Sequence, residues 1–341
     1  MIRMDDPKVT VGIPTFNRAH WLRDSIESVL AQSYTRFHII VADNASTDET
    51  PDVVRSFGDP RITYVRSEHN LGPVANMNRL IGLADTKYFV ILPDDDFFYP
   101  GYLEAAVGLF EQFDNLGVVH SAFNHVDARA RVIGRIDPVR CRSRMMIEQS
   151  DRLLERLMVS GAWLCFASIM YRTDALIATG GLHEDLGHFC DRHMWMQLAL
   201  HWDFGYLARP LVGQRDHAQE ISWKIVKEHG LEPNTPEASR LYAELALQRR
   251  MNFIDTAGLE PERADRLRAL ATLQSIVDLA HAQLPSRDVA SRLARLARAY
   301  PRILSRPAFW RLVAAQSGAR RVRALLSGGP TTTGRHGQVS P

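Results

Sequence analysis

The chain contains little cysteine and no long apolar segment. Its three cysteines, Cys141, Cys165 and Cys190, are widely spaced and form no CxxC pair, which argues against a zinc ribbon or a disulfide framework and fits a reducing compartment. The longest notable uncharged stretch, residues 159–171, has 13 residues and is too short to cross a bilayer, which takes about 20. No apolar run of signal-peptide length stands at the N-terminus. These absences predict a cytoplasmic protein.

The overall composition is average, but the charge is unevenly distributed. The 341 residues are 45% hydrophobic and 23% charged, which excludes a disordered or collagen-like chain and predicts roughly two folding units. Residues 262–341 contain 14 arginines, no lysine and four acids, a net charge of +10. Because the whole chain has a net charge of +2, the first 261 residues carry −8. An acidic region, residues 1–261, is therefore followed by a basic tail, residues 262–341.

Strand and helix patterns alternate over the first hundred residues. Apolar periodicity predicts four strands, at residues 9–13, 37–42, 62–65 and 88–92. It also predicts three helices between them, at residues 17–31, 51–57 and 73–84. Asn17 is positioned as the N-cap of the first helix. Repeated strand–helix units imply an α/β fold, a parallel sheet with helices on both faces.

Polar residues follow each of the four predicted strands. They occupy residues 14–17, 43–48, 67–72 and 94–96. Because parallel sheets bind ligands at the carboxyl ends of their strands, we expect the four clusters to share one rim.

The rest of the chain has a different pattern. Residues 118–123 and 165–171 are predicted strands, and residues 193–201 a helix. Residues 236–326 have a helical pattern throughout, with prolines such as Pro261 near helix starts.

Asp94, Asp95 and Asp96 follow the fourth predicted strand. Adjacent carboxylates repel one another unless a cation or strong donors neutralise them, and all-oxygen ligation suits Mg²⁺ or Mn²⁺. A solvated acidic turn is the alternative, which the position after a buried strand disfavours. Asp43 directly follows the second strand. Its carboxylate can accept a hydrogen bond from a nucleobase or ribose, or it can cap the turn before the next helix.

Ordered motifs carry a family resemblance. The segments VTVGIPTFNRAHWLRDSIESVLAQSY, HIIVADNASTDET, RSEHNLGPVANMNRLI and FVILPDDD resemble the nucleotide-sugar-binding half of the GT-A-fold glycosyltransferases of glycosyltransferase family 2. The resemblance continues through GGLHEDLGHFCDRHMWMQLAL and GQRDHAQEIS and covers roughly residues 8–223. It does not extend to the Arg-rich remainder.

The resemblance implies a domain organisation. A GT-A catalytic domain would span residues 1–230, with a nucleotide-sugar-binding half at about 8–115 and an acceptor half at about 116–230. A helical, Arg-rich C-terminal domain would follow at residues 231–326, and residues 327–341, rich in Gly, Thr and Pro, are expected to be disordered.

Nucleotide-sugar contacts are also implied by the resemblance. Pro14, Thr15 and Asn17 would lie against the nucleoside. Asp43 would hydrogen-bond the base, typically uracil or thymine.

The same resemblance assigns the acidic triplet and the segment before it. Asn70 and Asn76 would line the base, ribose or diphosphate. Asp96 is favoured as a metal ligand, with Asp94 or Asp95 on the ribose or sugar. The implied cofactor is Mg²⁺ or Mn²⁺.

Asp191 matches the position at which inverting members of the family keep their general base. The family's usual preceding acid is Cys190 here, so a single carboxylate remains. Glu184 and Asp185 are competing candidates that we expect to be turn-forming.

Four further residues are assigned around the diphosphate and the acceptor. His217 matches a histidine that can reach the metal or diphosphate, with Arg215 as its electrostatic partner. Trp163 and His188 are candidates for contact with the acceptor. A core position for Trp163 and a structural role for His188 are the alternatives.

These features predict a metal-dependent inverting glycosyltransferase that uses a nucleotide-diphosphate sugar, with UDP or TDP favoured, in polysaccharide, envelope glycan or glycoconjugate synthesis. A nucleotidyltransferase is the enzyme alternative, although residues 12–18 lack the Gly-rich basic phosphate loop it would need. A non-catalytic sugar-binding or scaffold module is the other. The acceptor would be a glycan, a lipid-linked molecule or a small molecule.

The basic tail has several interpretations. Residues 291–302 and 309–326 mix arginine with apolar residues as interfacial helices do, which suggests peripheral contact with the inner face of the cell membrane. A solvated helical face is the alternative. We expect no nucleic-acid partner, because no recognisable nucleic-acid-reading element accompanies the charge.

Overall fold

The structure is a computed structural model that describes residues 8–139, 143–159, 164–215, 230–232 and 235–281, with residues 292, 294–296 and 298–301 beyond them. The described residues fall into two compact units. One lies within Met1–Leu154 and Ala162–Ile221, and the other within Glu155–Gly161 and Ser222–Pro341. The first unit contains the β-sheet, and the second contains two long helices.

The secondary structure of the described residues consists of strands, α-helices and two 3₁₀ turns. The strands are β1 (Val9–Thr15), β2 (Phe37–Asp43), β3 (Ile62–Arg66), β4 (Tyr88–Ile91), β5 (Phe97–Phe98), β6 (Leu116–Val126), β7 (Val132–Ile136), β8 (Met145–Glu148), β9 (Ile169–Arg172) and β10 (Asp203–Arg215). The helices are α1 (Ala19–Leu30), α2 (Thr50–Phe57), α3 (Pro73–Leu83), α4 (Tyr102–Gln112), α5 (Ser150–Val159), α6 (Thr173–Ala178), α7 (Cys190–Leu198), α8 (Pro236–Thr256) and α9 (Pro261–His281). The 3₁₀ turns are Phe166–Ser168 and Glu184–Phe189.

One mixed sheet organises the first unit. Its strand order is β3-β2-β1-β4-β9-β6-β10-β5, with β7 paired to β6 and β8 paired to β10. Strands β1 to β4 are mutually parallel, which confirms the α/β prediction. Strand β9 is antiparallel to both β4 and β6, so the second half of the sheet is mixed.

The register of the parallel strands brings their polar ends together. Thr15 is the register partner of Asp43, which is in turn the partner of Arg66. Strand β4 lies on the other side of β1, and the acidic triplet begins three residues after its last residue, Ile91. The predicted common rim therefore follows directly from strand register.

Helix α1 packs onto this sheet through one apolar face. Leu22, Ile26 and Val29, spaced as one side of a helix, are fully buried in the same core as Val11 and Ile13 of β1. Burying side chains of this size contributes roughly 1.5–3 kcal/mol each. This packing holds the start of α1 against the carboxyl end of β1.

Two local predictions are wrong. Asn17 does not cap α1, because the helix begins at Ala19 and the Asp48 carboxylate accepts the Ala19 amide at 3.0 Å. The predicted strand 165–171 is in part a 3₁₀ turn, since the Ser168 amide donates to the Cys165 carbonyl at 2.8 Å and β9 begins only at Ile169. The apolar run was consistent with either structure.

The second unit contains α8 and α9. Pro236 and Pro261 begin these helices, as predicted, and the Thr235 hydroxyl caps α8 by accepting the Ala238 amide at 3.2 Å. Arg268 on α9 donates to Asp255 on α8 at 2.8 Å. Within the described residues, no helix is long and apolar enough to cross a membrane. The predicted interfacial segment 309–326 and the tail 327–341 lie outside the described residues, as do residues 291, 293, 297 and 302 of the other predicted interfacial segment.

Replacing Gly213 by alanine is expected to destabilise the sheet. Gly213 on β10 pairs with Phe97 on β5, and a Cβ at Gly213 would lie 2.3 Å from the Phe97 ring. Because the ring has to move, we expect Gly213→Ala to lower the free energy of unfolding by about 1–3 kcal/mol, measured by urea unfolding. Gly108→Ala on α4 is the matched control, since its added Cβ would meet no atom within 4 Å and should stabilise the helix by about 0.5–1 kcal/mol. Unchanged stability in Gly213→Ala would contradict this view of the strand pairing.

Candidate active site

Asn17 links the loops that follow β1 and β2. Its backbone φ is 54°, a left-handed conformation that asparagine adopts more readily than most residues. Its Oδ1 accepts the Thr47 amide at 2.7 Å, and its own amide donates to Ser46 Oγ at 2.9 Å. Thr15 is buried next to it, and Pro14 is partly buried. Of the residues predicted to face a nucleoside, Asn17 thus connects the two loops by hydrogen bonds.

Asp43 is fully buried at the end of β2. Its Oδ1 accepts the Ser46 amide at 2.9 Å, and its Oδ2 accepts the Tyr64 hydroxyl at 2.5 Å and lies 3.3 Å from Arg66 Nε. Burial and the bond to Asp43 raise the pKa of Tyr64 well above its usual range. Of the two roles considered for Asp43, the structure shows the turn-capping one. A direct bond from Asp43 to a base stays a prediction.

Three asparagines connect the next loop to the sheet. Asn44 Nδ2 donates to Asn70 Oδ1 at 2.8 Å, and Asn44 Oδ1 accepts the Leu71 amide at 2.8 Å. Asn70 is exposed, so part of it faces solvent at the rim. Asn76 is buried, and its Nδ2 donates to the Ala42 carbonyl at 2.8 Å. The structure therefore places Asn70 at the rim and Asn76 between α3 and β2.

The acidic loop, Asp94–Asp96, is held against α1 by Ser25. Asp94 and Asp96 are 5% and 4% exposed. The buried Ser25 hydroxyl lies 2.8 Å from the Asp94 carbonyl oxygen and 2.6 Å from that of Asp96. Since a hydroxyl has one proton, it donates to one of them at a time. This contact fixes the backbone of the loop against α1.

Arg18 provides a counter-charge for the acidic loop. Its Nη1 lies 3.3 Å from Asp94 Oδ1 and also pairs with Asp95 Oδ2. Burial, with the adjacent Asp95 charge, nevertheless raises the pKa of Asp94 to about 7. Burial and Asp95 also raise the pKa of Asp96 well above its usual range, against the opposing effect of the Arg215 amide. Arg18 therefore offsets only part of the charge.

Arg215, at the end of β10, fixes the other side of the loop. Its amide donates to Asp96 Oδ1 at 3.0 Å, and its Nε donates to the Asp95 carbonyl at 2.8 Å. Its Nη2 pairs with Asp24, and its guanidinium lies 4.3 Å from the centroid of the Trp21 ring. Because the protein itself holds this guanidinium, its predicted contact with a diphosphate stays a prediction.

The acidic loop supplies donors of the kind that a divalent cation prefers. Asp94 and Asp96 offer hard oxygen atoms in a buried position where negative charge is incompletely offset. Within the part of the chain that the structure describes, no group of three or more His, Cys, Asp or Glu is arranged to hold a metal ion. The two carboxylates fit a cation that takes its remaining ligands from elsewhere. His217, the other predicted ligand, lies outside the described residues.

Asp191 lies in the first turn of α7, and its Oδ1 accepts the Arg192 amide at 2.6 Å. Burial raises the pKa of the Asp191 carboxyl, and the Arg192 charge opposes this effect. Burial also raises the pKa of the Cys190 thiol to about 12, so that this neighbour stays protonated near neutral pH. Asp191 is therefore the one carboxylate of this pair, and Cys190 is not a competing base.

The loop before α7 is held by Asn78 of α3. Asn78 Nδ2 donates to the Leu182 carbonyl at 2.7 Å, and its Oδ1 accepts the Leu182 amide at 2.8 Å. Gly181 has a φ of 79°, and a Cβ there would lie 2.7 Å from Asn78 Oδ1. The glycine thus permits the close approach that connects α3 to the segment carrying Asp191.

Several site residues were not identified from the sequence. Arg18 could have been, because it directly follows the polar cluster after β1. Ser25, Asp24 and Asn78 lie within helices, where a polar residue gives no sign of its distant partner. Of the acceptor candidates, Trp163 lies outside the described residues, as does the side chain of His188.

Comparison with known proteins identifies relatives of this arrangement. Residues 10–176 match the family described as Glycosyl transferase family 2. An uncharacterized glycosyltransferase, RP339, of Rickettsia prowazekii is 28% identical over 217 residues, which cover 63% of this chain and 66% of that protein. The putative colanic acid biosynthesis glycosyl transferase WcaA of Escherichia coli is 35% identical over 101 residues, which cover 29% and 36% of the two chains. The chain thus spans less than two thirds of the length of these relatives.

Solved structures share the fold over most of the chain. The crystal structure of TarS 1-349 from S. aureus in complex with UDP-GlcNAc matches with a TM-score of 0.56 and 18% identity, covering 95% of this chain and 93% of that one. The mannosyltransferase PcManGT from Pyrobaculum calidifontis, in complex with GDP-Man and Mn²⁺, matches with a TM-score of 0.54 and 18% identity, covering 95% and 87%.

The expectations of a GT-A fold and of a C-terminal helical region are confirmed. The family match covers the parallel strands, the acidic loop and β9. Through residues 10–176, the chain belongs to glycosyltransferase family 2.

Proposed function

We propose that the protein is a metal-dependent inverting glycosyltransferase that moves a sugar from a nucleotide-diphosphate sugar to a hydroxyl group of a glycan acceptor. The observation that carries this proposal is the buried acidic loop on the same rim as the loops that end β1 and β2. That arrangement lies within the family match. The names of the two structural neighbours, which include UDP-GlcNAc and GDP-Man, support the class of donor, and we favour UDP or TDP.

The charge distribution supports the donor end of the reaction. A bound divalent cation would offset the negative charge that builds up on the departing diphosphate. Asp94 and Asp96 would hold this cation. Arg18 lies beside both Asp94 and Asp95 with a quarter of its side chain exposed, so its guanidinium is positioned to add positive charge there. Arg215 and Ser25 would keep the loop in place.

Asp191 would act at the acceptor end. Its carboxylate takes the proton of the acceptor hydroxyl as that oxygen bonds to the anomeric carbon, while the bond from that carbon to the diphosphate breaks. This single displacement inverts the configuration of the carbon. The raised pKa of Asp191 supports the role, because a general base is most effective with a pKa near the operating pH.

The proposal includes a class of acceptor and a location for the enzyme. The name of WcaA refers to colanic acid biosynthesis, which supports a polysaccharide or envelope glycan as the acceptor. Peripheral membrane contact through the Arg-rich residues 291–302 and 309–326 is part of the same proposal. Most of that sequence lies outside the described residues.

The stability of the metal-free protein should decrease as the pH rises. The folded pKa of Asp94 is about 7, whereas an unfolded aspartate has a pKa of about 3.9. Between these values the folded protein binds more protons, so its free energy of unfolding falls with rising pH, by about 4 kcal/mol. Thermal unfolding in a chelator from pH 4 to 8 measures this, and Mn²⁺ should restore stability at about pH 8. Asp94→Asn should reduce both effects, whereas the exposed control Asp52→Asn should reduce neither. An equally steep slope in Asp94→Asn would contradict the assignment.

Asp191→Asn should nearly abolish transfer without weakening donor binding. Loss of a general base costs about 10²- to 10⁴-fold in kcat, while the nucleotide Kd should stay within about twofold. The wild-type kcat should fall with decreasing pH, with an apparent pKa above the ordinary aspartate value of about 3.9. Glu184→Gln, on the exposed 3₁₀ turn beside α7, is the matched control and should keep the wild-type rate. If Asp191→Asn retained most of the transfer rate, another residue would be the base.

Nucleotide binding should raise the thermal stability in a metal-dependent manner. A ligand that binds only the folded state at 100 times its Kd adds about 2.7 kcal/mol. We expect UDP or TDP and their sugars to raise the Tm more than GDP does, and to do so only with Mg²⁺ or Mn²⁺. Hydrolysis of the same nucleotide sugars with Mn²⁺ tests for turnover. No stabilisation by any nucleotide sugar would refute the proposed donor class.

A further inference from the structure

The hairpin formed by β6 and β7 has an exposed apolar tip. Val132 and Ile133, at the start of β7, are 56% and 59% exposed and are adjacent in the chain. They stand among six large apolar residues that are notably exposed in the described part of the chain. Exposed apolar residues that occur singly are ordinary, whereas grouped ones mark interaction sites. We define the hairpin tip as residues 127–135.

A β-bulge orients this pair. His125 pairs with Gly134 and Val126 pairs with Val132, so Ile133 is an extra residue with no partner on β6. A bulge redirects the side chain at its position and interrupts the alternation of the strand. Strand β7 has β6 as its paired neighbour. The apolar pair is thus displayed at the outer side of the sheet.

The turn of the hairpin is rigid. The Asp127 carboxylate accepts the amides of Arg129 and Arg131 at 2.9 Å each and the Arg131 Nε at 2.7 Å. Ala130 has a φ of 59°, and its amide donates to the Asp127 carbonyl at 2.9 Å. Because these bonds lie within the turn itself, the tip is already formed before it meets any partner.

Positive charge surrounds the apolar pair. Arg129, Arg131 and Arg135 are all exposed, against the single acid Asp127 of the tip. Within the described residues, Arg129 has no side-chain hydrogen bond or ion pair. Arg135 donates from Nη2 to the Ala208 carbonyl of β10 at 2.9 Å. The tip therefore combines an apolar end with a net charge of +2.

We propose that this hairpin tip docks the protein on an anionic lipid surface, with Val132 and Ile133 entering the interface and the three arginines contacting lipid phosphates. Interfacial elements combine apolar residues with a basic polar face in this way, and basic residues near an anionic bilayer add attraction. A soluble polyanion would engage the arginines but gain nothing from the apolar pair. A second copy paired at the β7 edge would bring like charges together, which is unfavourable.

The hairpin tip is connected to the acidic loop. Arg215 Nη1 donates to the Ala128 carbonyl in the turn at 3.1 Å, while the Arg215 amide holds Asp96. Docking through the tip would therefore fix the height of the acidic loop above the lipid surface. The docking surface itself does not depend on the proposed transferase activity, because its test measures binding.

The test is flotation of the full-length protein with vesicles of phosphatidylcholine alone or mixed equally with phosphatidylglycerol. We expect binding to the anionic vesicles at low salt and weaker binding at high salt. Val132→Ser/Ile133→Ser should lower the vesicle partition coefficient about tenfold, and Arg129→Gln/Arg131→Gln should lower both the binding and its salt dependence. All variants keep the basic C-terminal residues. If binding occurred through that segment alone, the variants would bind the vesicles as strongly as wild type.

Matched controls are available elsewhere in the same unit. Leu83, 41% exposed at the end of α3, is the control for the apolar pair, and Leu83→Ser should bind like wild type. Arg55 pairs with Asp52 as Arg131 pairs with Asp127, and both arginine side chains are 72% exposed. Arg55→Gln should likewise bind as wild type does. Matching thermal unfolding curves confirm that every variant is folded.

Insertion can be observed directly. In Ile133→Trp, the indole emission should shift to shorter wavelength with anionic vesicles and be quenched by brominated lipid, whereas Leu83→Trp should show neither effect. The proposal is overturned if wild type does not bind anionic vesicles or if the hairpin variants bind as wild type does. It is also overturned if Val132→Ser/Ile133→Ser abolishes a dimer seen by analytical ultracentrifugation while vesicle binding is unchanged.

Discussion

Burial of the acidic loop is the constraint around which the other rim residues are arranged. Asp94 and Asp96 are almost fully buried, and removing adjacent negative charges from water is costly unless donors or cations compensate. Ser25 holds the loop backbone, Arg18 offsets part of the charge and the Arg215 amide binds one carboxylate. The pKa values of Asp94 and Asp96 nevertheless stay raised. The protein therefore offsets only part of the negative charge of these carboxylates, as a site for a cationic ligand would require.

The compensating residues come from distant parts of the chain, and the sheet brings them together. Arg18 follows β1, the acidic loop follows β4 and Arg215 ends β10. Parallel pairing of β4 with β1 places the first two side by side, and the short β5 pairs with β10 directly after the acidic loop. Gly213 allows the Phe97 ring of β5 to lie over β10, 5.3 Å from the Arg215 guanidinium. Close packing of the strands thus sets the geometry of the charged groups.

Strand periodicity was sufficient to predict the parallel sheet and its polar rim, because a strand buried on both faces leaves a clear apolar pattern. The motifs then located Asp94, Asp96 and Asp191. The sequence could not show which hydrogen bonds these residues make. Asp43 was open to two roles, and its contacts with Ser46 and Tyr64 depend on the register of β2 with β3. The predicted capping by Asn17 failed because Asp48, on a different loop, binds the Ala19 amide.

Arg215 shows why a charged residue at the end of a strand need not contact a ligand to matter. A guanidinium offers five donors in a fixed planar fork, and here they reach the Asp95 carbonyl, the Ala128 carbonyl and Asp24 while the plane lies near Trp21. Lysine could not hold these directions together. The Arg215 side chain joins α1, the acidic loop and the β6–β7 turn. Displacement of any of these elements would therefore shift the carboxylates of the acidic loop. Arg215 therefore acts through position, and its positive charge is largely used by the protein itself.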